Sequence, residues 1–159
     1  MPTAWRLVKA VYAKTAFSGE WAAQFGRRWN PRGVPMIYIA NTALLAILEV
    51  LVHTAESALP APYTLFRVEL PESIVRILAP GDLPPAWDTN PPPPSTQAIG
   101  KRWIESRTSV ALEVPSTVTR QETNFLLNPE HPAFQSILPA QEIPYLFPDR
   151  LIDPRVRSQ

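Results

Sequence analysis

The amino-acid sequence predicts a single compact α+β domain. A length of 159 residues fits one domain, and 45% hydrophobic with 18% charged residues exclude a wholly disordered chain. Candidate strands are scattered among a few short helical segments and do not alternate regularly with helices. That order favours an α+β fold over a series of βαβ units. No internal repeat is apparent along the chain.

Two strands and a short helix are predicted before residue 41. Trp5–Ala13 alternates loosely between apolar and polar side chains, which is typical of a strand. A Ser-Gly turn at 18–19 precedes a predicted helix over Glu20–Phe25. The segment 29–35 contains Asn-Pro, a glycine and a second proline, which predict a loop. The apolar run Met36–Ala40 that follows predicts a buried strand.

The run Asn41–Val52 predicts a helix that is apolar around almost its whole circumference. Asn41 and Thr42 are the candidate N-caps, and the helix is expected to end near His53. Glu49 is the only charged side chain in this run. A helix that is apolar all round is normally buried, and a buried carboxylate needs a partner because its desolvation is costly. Glu49 therefore has a cationic partner or lines a cavity, unless it lies on a solvated stripe.

Beyond residue 60, short apolar or alternating runs predict five further strands. They are Tyr63–Leu70, Val75–Leu78, Ser109–Val114, Asn124–Leu127 and Ile143–Phe147. The last is expected at a sheet edge because it contains Pro144. Ala79–Ser95 contains seven prolines, which predict a stiff surface loop; the alternative is a polyproline II ligand for an SH3-like partner at 91–94. Thr96–Ser106 predicts a helix with Ser95 as its N-cap.

The composition excludes several classes of protein. A net charge of +1 leaves no broad basic face for nucleic acid. The absence of cysteine excludes disulfides and thiolate zinc sites, and two histidines without HxxxH spacing argue against a histidine metal site. The N-terminus lacks the apolar core of a signal peptide, and the apolar run at 41–52 is too short to span a bilayer. We expect a cytoplasmic protein that binds no metal, nucleic acid or membrane.

Three residues from consecutive elements, Arg28, Tyr38 and Glu49, are the candidates for a functional site. Consecutive elements tend to be neighbours in space, so these side chains are expected to converge. Arginine binds phosphate bidentately, tyrosine stacks on heteroaromatic rings and bonds ribose hydroxyls, and a glutamate in a dry site stabilises a developing cation. The set suits a nucleotide whose glycosidic bond is broken. The alternatives are an Arg28–Glu49 ion pair, a core tyrosine, and solvated charges at Arg27 and Arg32.

Longer stretches of the sequence resemble the RES domain family. The segment 17–53, FSGEWAAQFGRRWNPRGVPMIYIANTALLAILEVLVH, contains the Ser-Gly turn, Gly-x-Arg-Trp-Asn, a strand ending in Tyr-x-Ala and the glutamate helix. Residues 111–134, ALEVPSTVTRQETNFLLNPEHPAF, resemble the second block of the family, with Val-Pro-Ser followed by Asn-x-Leu-x-Asn-Pro-x-His-Pro. PDRL at 148–151 also fits. The similarity runs through nearly the full chain, 1–159, in the correct order.

This resemblance implies the toxin of a bacterial RES–Xre toxin–antitoxin pair, with a mixed, strongly bent sheet and short flanking helices, related to the ADP-ribosyltransferase fold. Members of the family deplete NAD by hydrolysing or phosphorolysing the nicotinamide–ribose bond, and some relatives ADP-ribosylate a protein instead. By position, Arg28 corresponds to the family arginine, Glu49 to the glutamate, Ser116 to the serine and Tyr38 to the active-site tyrosine. Arg28, Tyr38 and Ser116 are then expected to hold NAD. Glu49 is expected to stabilise the ribosyl cation.

The resemblance also implies a cognate Xre-family helix-turn-helix antitoxin that occludes the active site, and a dimer within a hetero-oligomeric complex. The sequence departs from the family at Arg27, where glycine commonly precedes the arginine, and at Trp21, where a small residue is usual. Both larger residues are expected to narrow the pocket. Two alternatives stay open: an ADP-ribosyltransferase acting on a protein, and a non-enzymatic binding module that uses the proline-rich loop at 79–95.

Overall fold

The computed structural model describes residues 2–152 and 154–157, and within these ranges the chain forms seven strands and four helices. The strands are β1 (Thr3–Lys9), β2 (Ile37–Ala40), β3 (Tyr63–Glu69), β4 (Val75–Ile77), β5 (Ala111–Pro115), β6 (Thr123–Leu127) and β7 (Gln141–Tyr145). The helices are α1 (Glu20–Phe25), α2 (Ala43–His53), α3 (Pro94–Ser106) and α4 (Pro154–Arg157). Short 3-10 turns connect several of these elements.

The strands form one mixed sheet in the order β4-β5-β6-β2-β1-β3-β7. β4 and β5 are parallel, and every other neighbouring pair is antiparallel. The predicted α+β class with a mixed sheet is therefore confirmed. β1 pairs with β3 over all of its length but with β2 at one position, Trp5↔Ala40. The two halves of the sheet are thus joined by a short contact between β1 and β2.

The first strand is shorter than predicted, because Ala10–Thr15 forms a 3-10 helix where the sequence predicted strand as far as Ala13. Its neighbour β3 begins at Tyr63, directly after Pro62. The carbonyl of Pro62 accepts a 2.9 Å hydrogen bond from the Ala10 amide, but proline has no N–H to donate in return. Strand pairing therefore stops at this point and the chain turns away.

The predicted bounds of α1 and α2 agree with the structure, whereas α3 begins earlier than expected. Thr42 caps α2, because its side chain accepts a 3.0 Å hydrogen bond from the Leu45 amide. α3 begins at Pro94, since proline suits the first helical position, where no N–H is needed. Ser95 therefore lies inside α3, and the N-cap predicted there was wrong.

The C-terminal strand β7 lies at a sheet edge, as predicted, but two residues earlier in the chain than Ile143–Phe147. β7 pairs with β3 from Gln141 to Tyr145. Phe147 leaves the strand and packs into the core, where its ring lies 4.9 Å from that of Tyr63 in an edge-on arrangement. The apolar side chain at 147 therefore serves the core and not the strand.

α2 lies on the surface of the sheet and is buried along one side only. Leu45 and Ala46 are buried in a cluster that packs against β1 and β3. Away from this cluster Leu44 is 77% exposed and Val52 is 56% exposed. The expectation of a helix buried all round was therefore wrong, because α2 is covered by the sheet on one side only.

Candidate active site

A cavity of about 360 Å³ lies over the short contact between β1 and β2. β1, β2 and β6 form one part of its wall, and α1, α2, the loop at Arg27 and Thr54 after α2 form the rest. The polar side chains that line it are Arg6, Arg27, Tyr38, Glu49, His53, Thr54 and Asn124. A concave site of this size with several convergent polar groups is the usual form of a small-molecule site.

Glu49 lies in the wall of this cavity and is held there by three side chains. Its Oε1 accepts hydrogen bonds from Asn124 Nδ2 at 3.1 Å and from Ser116 Oγ at 3.5 Å. Its Oε2 lies 3.5 Å from Nε2 of His53, one turn further along α2. Glu49 therefore both lines a cavity and has a basic partner. Within the described residues that partner is a histidine on its own helix, not Arg28.

The surroundings of Glu49 favour its charged form. Burial raises the pKa of Glu49, but hydrogen bonds from His53 and Asn124 and the positive charges of His53 and Arg27 outweigh that effect. The net result is a pKa below the ordinary value of 4.5. A carboxylate that is only 26% exposed is thus ionised at neutral pH, as a group that stabilises a cation must be.

Ser116 is fully buried directly behind Glu49 and orients it. Besides its 3.5 Å bond to Glu49, the Ser116 oxygen accepts hydrogen bonds from the amides of Val118 and Thr119 at 3.1 and 3.4 Å. The hydroxyl thus ties the turn after β5 to the carboxylate on α2. The cavity wall is formed by other residues, so Ser116 contacts Glu49 and not the cavity itself.

Tyr38 presents its ring to the cavity and not its hydroxyl. The hydroxyl donates a 2.6 Å hydrogen bond to Asn30 Oδ1 and accepts one from the Trp29 amide at 3.1 Å. Burial is the main cause that raises the pKa of Tyr38 well above its ordinary value. The expected bond from this hydroxyl to a ribose is therefore replaced by bonds within the protein, and the aromatic face is what remains for a ligand.

Arg28 lies outside the cavity wall and binds the proline-rich loop. Its Nη1 donates to the carbonyl oxygens of Trp87 at 2.9 Å and of Thr89 at 2.7 Å. The same loop is attached from the other side by an ion pair between Arg120 and Asp88, at 2.6 Å. The sequence-predicted set thus divides: Tyr38 and Glu49 share the cavity, while Arg28 and Ser116 support its surroundings.

Two arginines that the sequence did not nominate face the cavity instead. The Arg27 guanidinium lies over the Tyr38 ring, 5.1 Å from its centroid. Arg6 donates from Nη1 to the carbonyl of Tyr38 at 2.7 Å, while its buried Nε has no partner within the described residues. Burial, together with the nearby charge of Arg27, lowers the pKa of Arg6 to about 10, so Arg6 stays charged. Cations in such positions are suited to bind an anion.

The sequence carried no clear signal for Arg6. The run WRLVKAVYA alternates loosely and contains two charged residues, Arg6 and Lys9, so neither stands out as Glu49 does in its apolar helix. Arg27 was expected to narrow the pocket but not to bind a ligand, because two adjacent arginines on a loop look alike in sequence. The directions of the two side chains follow from how the backbone is held. α3 binds both carbonyls, through Gln97 to that of Arg27 and through Thr96 to that of Arg28.

α3 fixes these arginines by approaching the backbone of the 27–30 segment closely. A Cβ atom on Gly100 would lie 1.6 Å from the carbonyl oxygen of Trp29, so only glycine permits the contact. Asn30 completes the segment, because its buried side-chain amide donates to the carbonyls of Ala22 and Val34 at 2.8 and 3.1 Å. The loop that carries the arginines is therefore rigidly held on both sides.

Along the described ranges, no helix is long and apolar enough to cross a membrane. Within the same ranges, histidine and acidic side chains form no group of three or more that could hold a metal ion. The polar groups of the cavity are one carboxylate, one histidine, one amide, one threonine hydroxyl and two arginines, together with the Tyr38 ring.

Comparisons with known proteins place this geometry in a family. The RES domain profile matches residues 3–148. A relative from Yersinia enterocolitica serotype O:8, named Toxin Res, is 39% identical over 148 residues, covering 92% of this chain and 97% of the relative. A relative from Sphingobium sp., named Prs ADP-ribosylating toxin, is 33% identical over 153 residues, covering 93% of this chain and 95% of the relative.

A solved structure shares the fold. One chain of the M. tuberculosis MbcT–MbcA toxin–antitoxin complex aligns with a TM-score of 0.70 at 23% identity, covering 91% of this chain and 84% of that chain. Identity at this level supports the likeness in fold alone. The family follows from the sequences, because the profile spans nearly the whole chain and the relatives are similar along nearly all of their length. This chain belongs to the RES domain family.

Proposed function

We propose that this chain is the toxin of a toxin–antitoxin pair and that it cleaves the nicotinamide–ribose bond of NAD. The observation that carries the proposal is an ionised Glu49 in a cavity that also contains Arg27 and the face of Tyr38. Relatives named Toxin Res and Prs ADP-ribosylating toxin support it. The reaction class agrees with the carboxylate, because glycosidic cleavage passes through a cation-like ribosyl centre.

Several side chains at this site have a task in the proposed reaction. Arg27 and Arg6 hold the diphosphate of NAD, and the Tyr38 ring packs against the nicotinamide or its ribose. Ser116 and Asn124 orient Glu49 through the hydrogen bonds described above.

Arg28 stays a predicted phosphate ligand, which would have to exchange the carbonyls of Trp87 and Thr89 for phosphate oxygens.

Cleavage of the nicotinamide–ribose bond requires no oxidant or reductant. The nicotinamide–ribose bond breaks, and its electron pair leaves with nicotinamide, which becomes neutral. The positive charge passes to the ribosyl carbon, where the Glu49 carboxylate stabilises it. Water then adds to this carbon and releases a proton, giving ADP-ribose. Attack by phosphate in place of water gives the ribosyl phosphate.

A second candidate is transfer of the same ADP-ribosyl group to a protein. The Sphingobium relative is named for such an activity, and it covers nearly all of this chain. The cation formed at Glu49 is common to both reactions, so they differ only in the nucleophile that reaches it. The proposed non-enzymatic binding module does not need Glu49 to be ionised, whereas both reactions do.

The experiment that tests the proposal identifies the products made from NAD by the purified chain. Incubation with and without phosphate, followed by chromatography and mass spectrometry, should show nicotinamide with ADP-ribose or its phosphate. Label that moves from NAD onto added bacterial protein, with no free ADP-ribose, would favour the second candidate. Intact NAD in every incubation of folded protein would contradict both enzymatic candidates.

We further propose an Xre-family antitoxin as the partner that covers this cavity, within a hetero-oligomer that contains two toxin copies. The structural neighbour comes from a complex of a toxin with its antitoxin. Arg27 and Arg6 give the cavity a positive wall, which an acidic side chain or a C-terminal carboxylate of the partner would match. A partner seated there excludes NAD directly.

A further inference from the structure

An exposed aromatic side chain, Trp21, lines the Glu49 cavity, and a second one, Phe25, packs beside it. Trp21 is 62% exposed and Phe25 is 49% exposed, and they stand one turn apart on α1. Their ring centroids are 4.6 Å apart with an angle of 55° between the planes, so Phe25 supports the indole from the side. Trp21 therefore has one supported edge and a large free surface.

Trp21 stands between the cavity that contains Glu49 and a smaller neighbouring one. It lines both of them, together with Arg6, Arg27 and Tyr38. The indole thus lines the same two cavities as the cations Arg6 and Arg27. A tryptophan contributes most of its hydrophobic free energy when it is covered, so a surface tryptophan beside a polar cavity is typical of a binding position.

The size of the cavity decides which part of NAD reaches Trp21. A volume of about 360 Å³ is near the lower end of the roughly 300–1,000 Å³ that encloses a drug-sized ligand, and a dinucleotide is larger than such a ligand. The proposed function places the nicotinamide riboside against Glu49, so the adenosine half must leave the cavity across its rim. Arg27, Arg6 and Trp21 all line both this cavity and its smaller neighbour, so a diphosphate at the two arginines brings the adenosine half to Trp21.

We propose that Trp21, supported by Phe25, stacks on the adenine of NAD. The inference rests on the proposed function, because it takes the nicotinamide end to be at Glu49. Stacking suits the observed groups, since a base presents an aromatic face and the exposed Trp21 offers an indole. Trp21 acts on binding and not on the bond that breaks, so it sets the KM for NAD and leaves kcat nearly unchanged.

The test measures NAD turnover together with inhibition by two half-ligands, AMP and nicotinamide mononucleotide. Trp21→Ala should raise the KM for NAD and the inhibition constant of AMP by about 5- to 150-fold, the range that base stacking on an aromatic side chain supplies. Inhibition by nicotinamide mononucleotide should stay at the wild-type level. Trp21→Phe should keep most of the AMP affinity, and Trp21→Leu, which is apolar but lacks an aromatic face, should lose it.

A matched control removes another exposed apolar side chain. Leu44 is 77% exposed and lies on α2 outside the cavity wall, so Leu44→Ala should change neither inhibition constant. Equal AMP inhibition of wild type and Trp21→Ala would overturn the adenine assignment, as would an equal loss of AMP and nicotinamide mononucleotide affinity. A wild-type chain that releases no nicotinamide would contradict the proposed function itself, which separates the two failures.

Discussion

At the scale of single residues, the cavity is organised around the ionisation of Glu49. Burial alone would raise its pKa, and the hydrogen bonds from His53 and Asn124 together with nearby positive charge reverse that effect. The sequence located Glu49 because one charge in an apolar helix is conspicuous. It did not reveal the partners, since His53 was expected only to mark the helix end and Asn124 only to begin a strand.

The pH dependence of activity should report the His53–Glu49 contact. The pKa of Glu49 is lowered, so activity should persist above it and fall as the pH drops through it, in the acid range below 4.5. His53→Ala removes a hydrogen bond and a charge that lower this pKa, so the acid limb of kcat/KM should move to higher pH. Val52→Ala is the control, because that side chain is exposed and lies outside the cavity wall.

Rate profiles from about pH 3 to pH 9 for wild type and both variants provide the measurement. An acid limb that stays in place in His53→Ala would mean that His53 does not control the ionisation of Glu49. Stability should depend on pH in the same direction. The contribution of Glu49 to the free energy of unfolding is present above its pKa in the unfolded chain and is lost as the pH falls through its pKa in the folded protein.

At the scale of elements, the site depends on how loops are held between the sheet and α3. The sequence predicted α1 and α2 accurately because their caps and turns are local, as with Thr42 at the start of α2. It missed the early end of β1 because that end depends on Pro62 in a distant strand connection. It also could not separate Arg27 from Arg28, since their directions are set by contacts with α3 and with the proline-rich loop.

Arg28→Ala should loosen the proline-rich loop. The variant loses two hydrogen bonds from a charged donor to the carbonyls of Trp87 and Thr89, and we expect a destabilisation of about 1–2 kcal/mol. Arg120→Ala removes the exposed ion pair with Asp88 on the same loop and should cost at most about 1 kcal/mol. Urea unfolding and limited proteolysis between residues 84 and 93 are the measurements.

The two variants also separate the roles considered for Arg28. If Arg28 only anchors the loop, the KM for NAD should rise in each variant in proportion to the loop's loss of protection from proteolysis. If Arg28 also binds phosphate, Arg28→Ala should raise the KM far more than its loss of stability explains. A loop equally protected in wild type and Arg28→Ala would contradict the anchoring role.

At the scale of the whole molecule, the short β1–β2 contact interrupts the sheet and creates the cavity. The wall of this cavity carries both positive and negative side chains. β1 supplies Arg6, β2 supplies Tyr38 and α2 supplies Glu49, so the site forms only when the sheet is complete. The fold class and the family could be recognised from sequence blocks in the right order. The cavity wall could not, because it joins side chains that are far apart in the chain, such as Arg6 and Asn124, and that meet on the central strands β6, β2 and β1.

The positive wall predicts competition between the antitoxin and NAD. Arg27→Ala should weaken NAD turnover and antitoxin affinity together, each by about tenfold or more, because both ligands would present anionic groups to the same guanidinium. Arg32→Ala is the control, since this neighbouring arginine lies outside the cavity wall. Calorimetric titration with the cognate antitoxin gives the affinity. An antitoxin that binds Arg27→Ala as tightly as wild type, with NAD still excluded, would place its contact elsewhere.

The central claim is that the ionised Glu49 carboxylate stabilises the ribosyl cation formed when nicotinamide leaves. Nicotinamide release from NAD by wild type and by Glu49→Gln, with circular dichroism spectra of both, tests it most directly. Glutamine keeps the size of the side chain and removes its charge, so the fold should persist while the rate falls by about 10²–10³. A folded Glu49→Gln protein that releases nicotinamide as fast as wild type would contradict the claim.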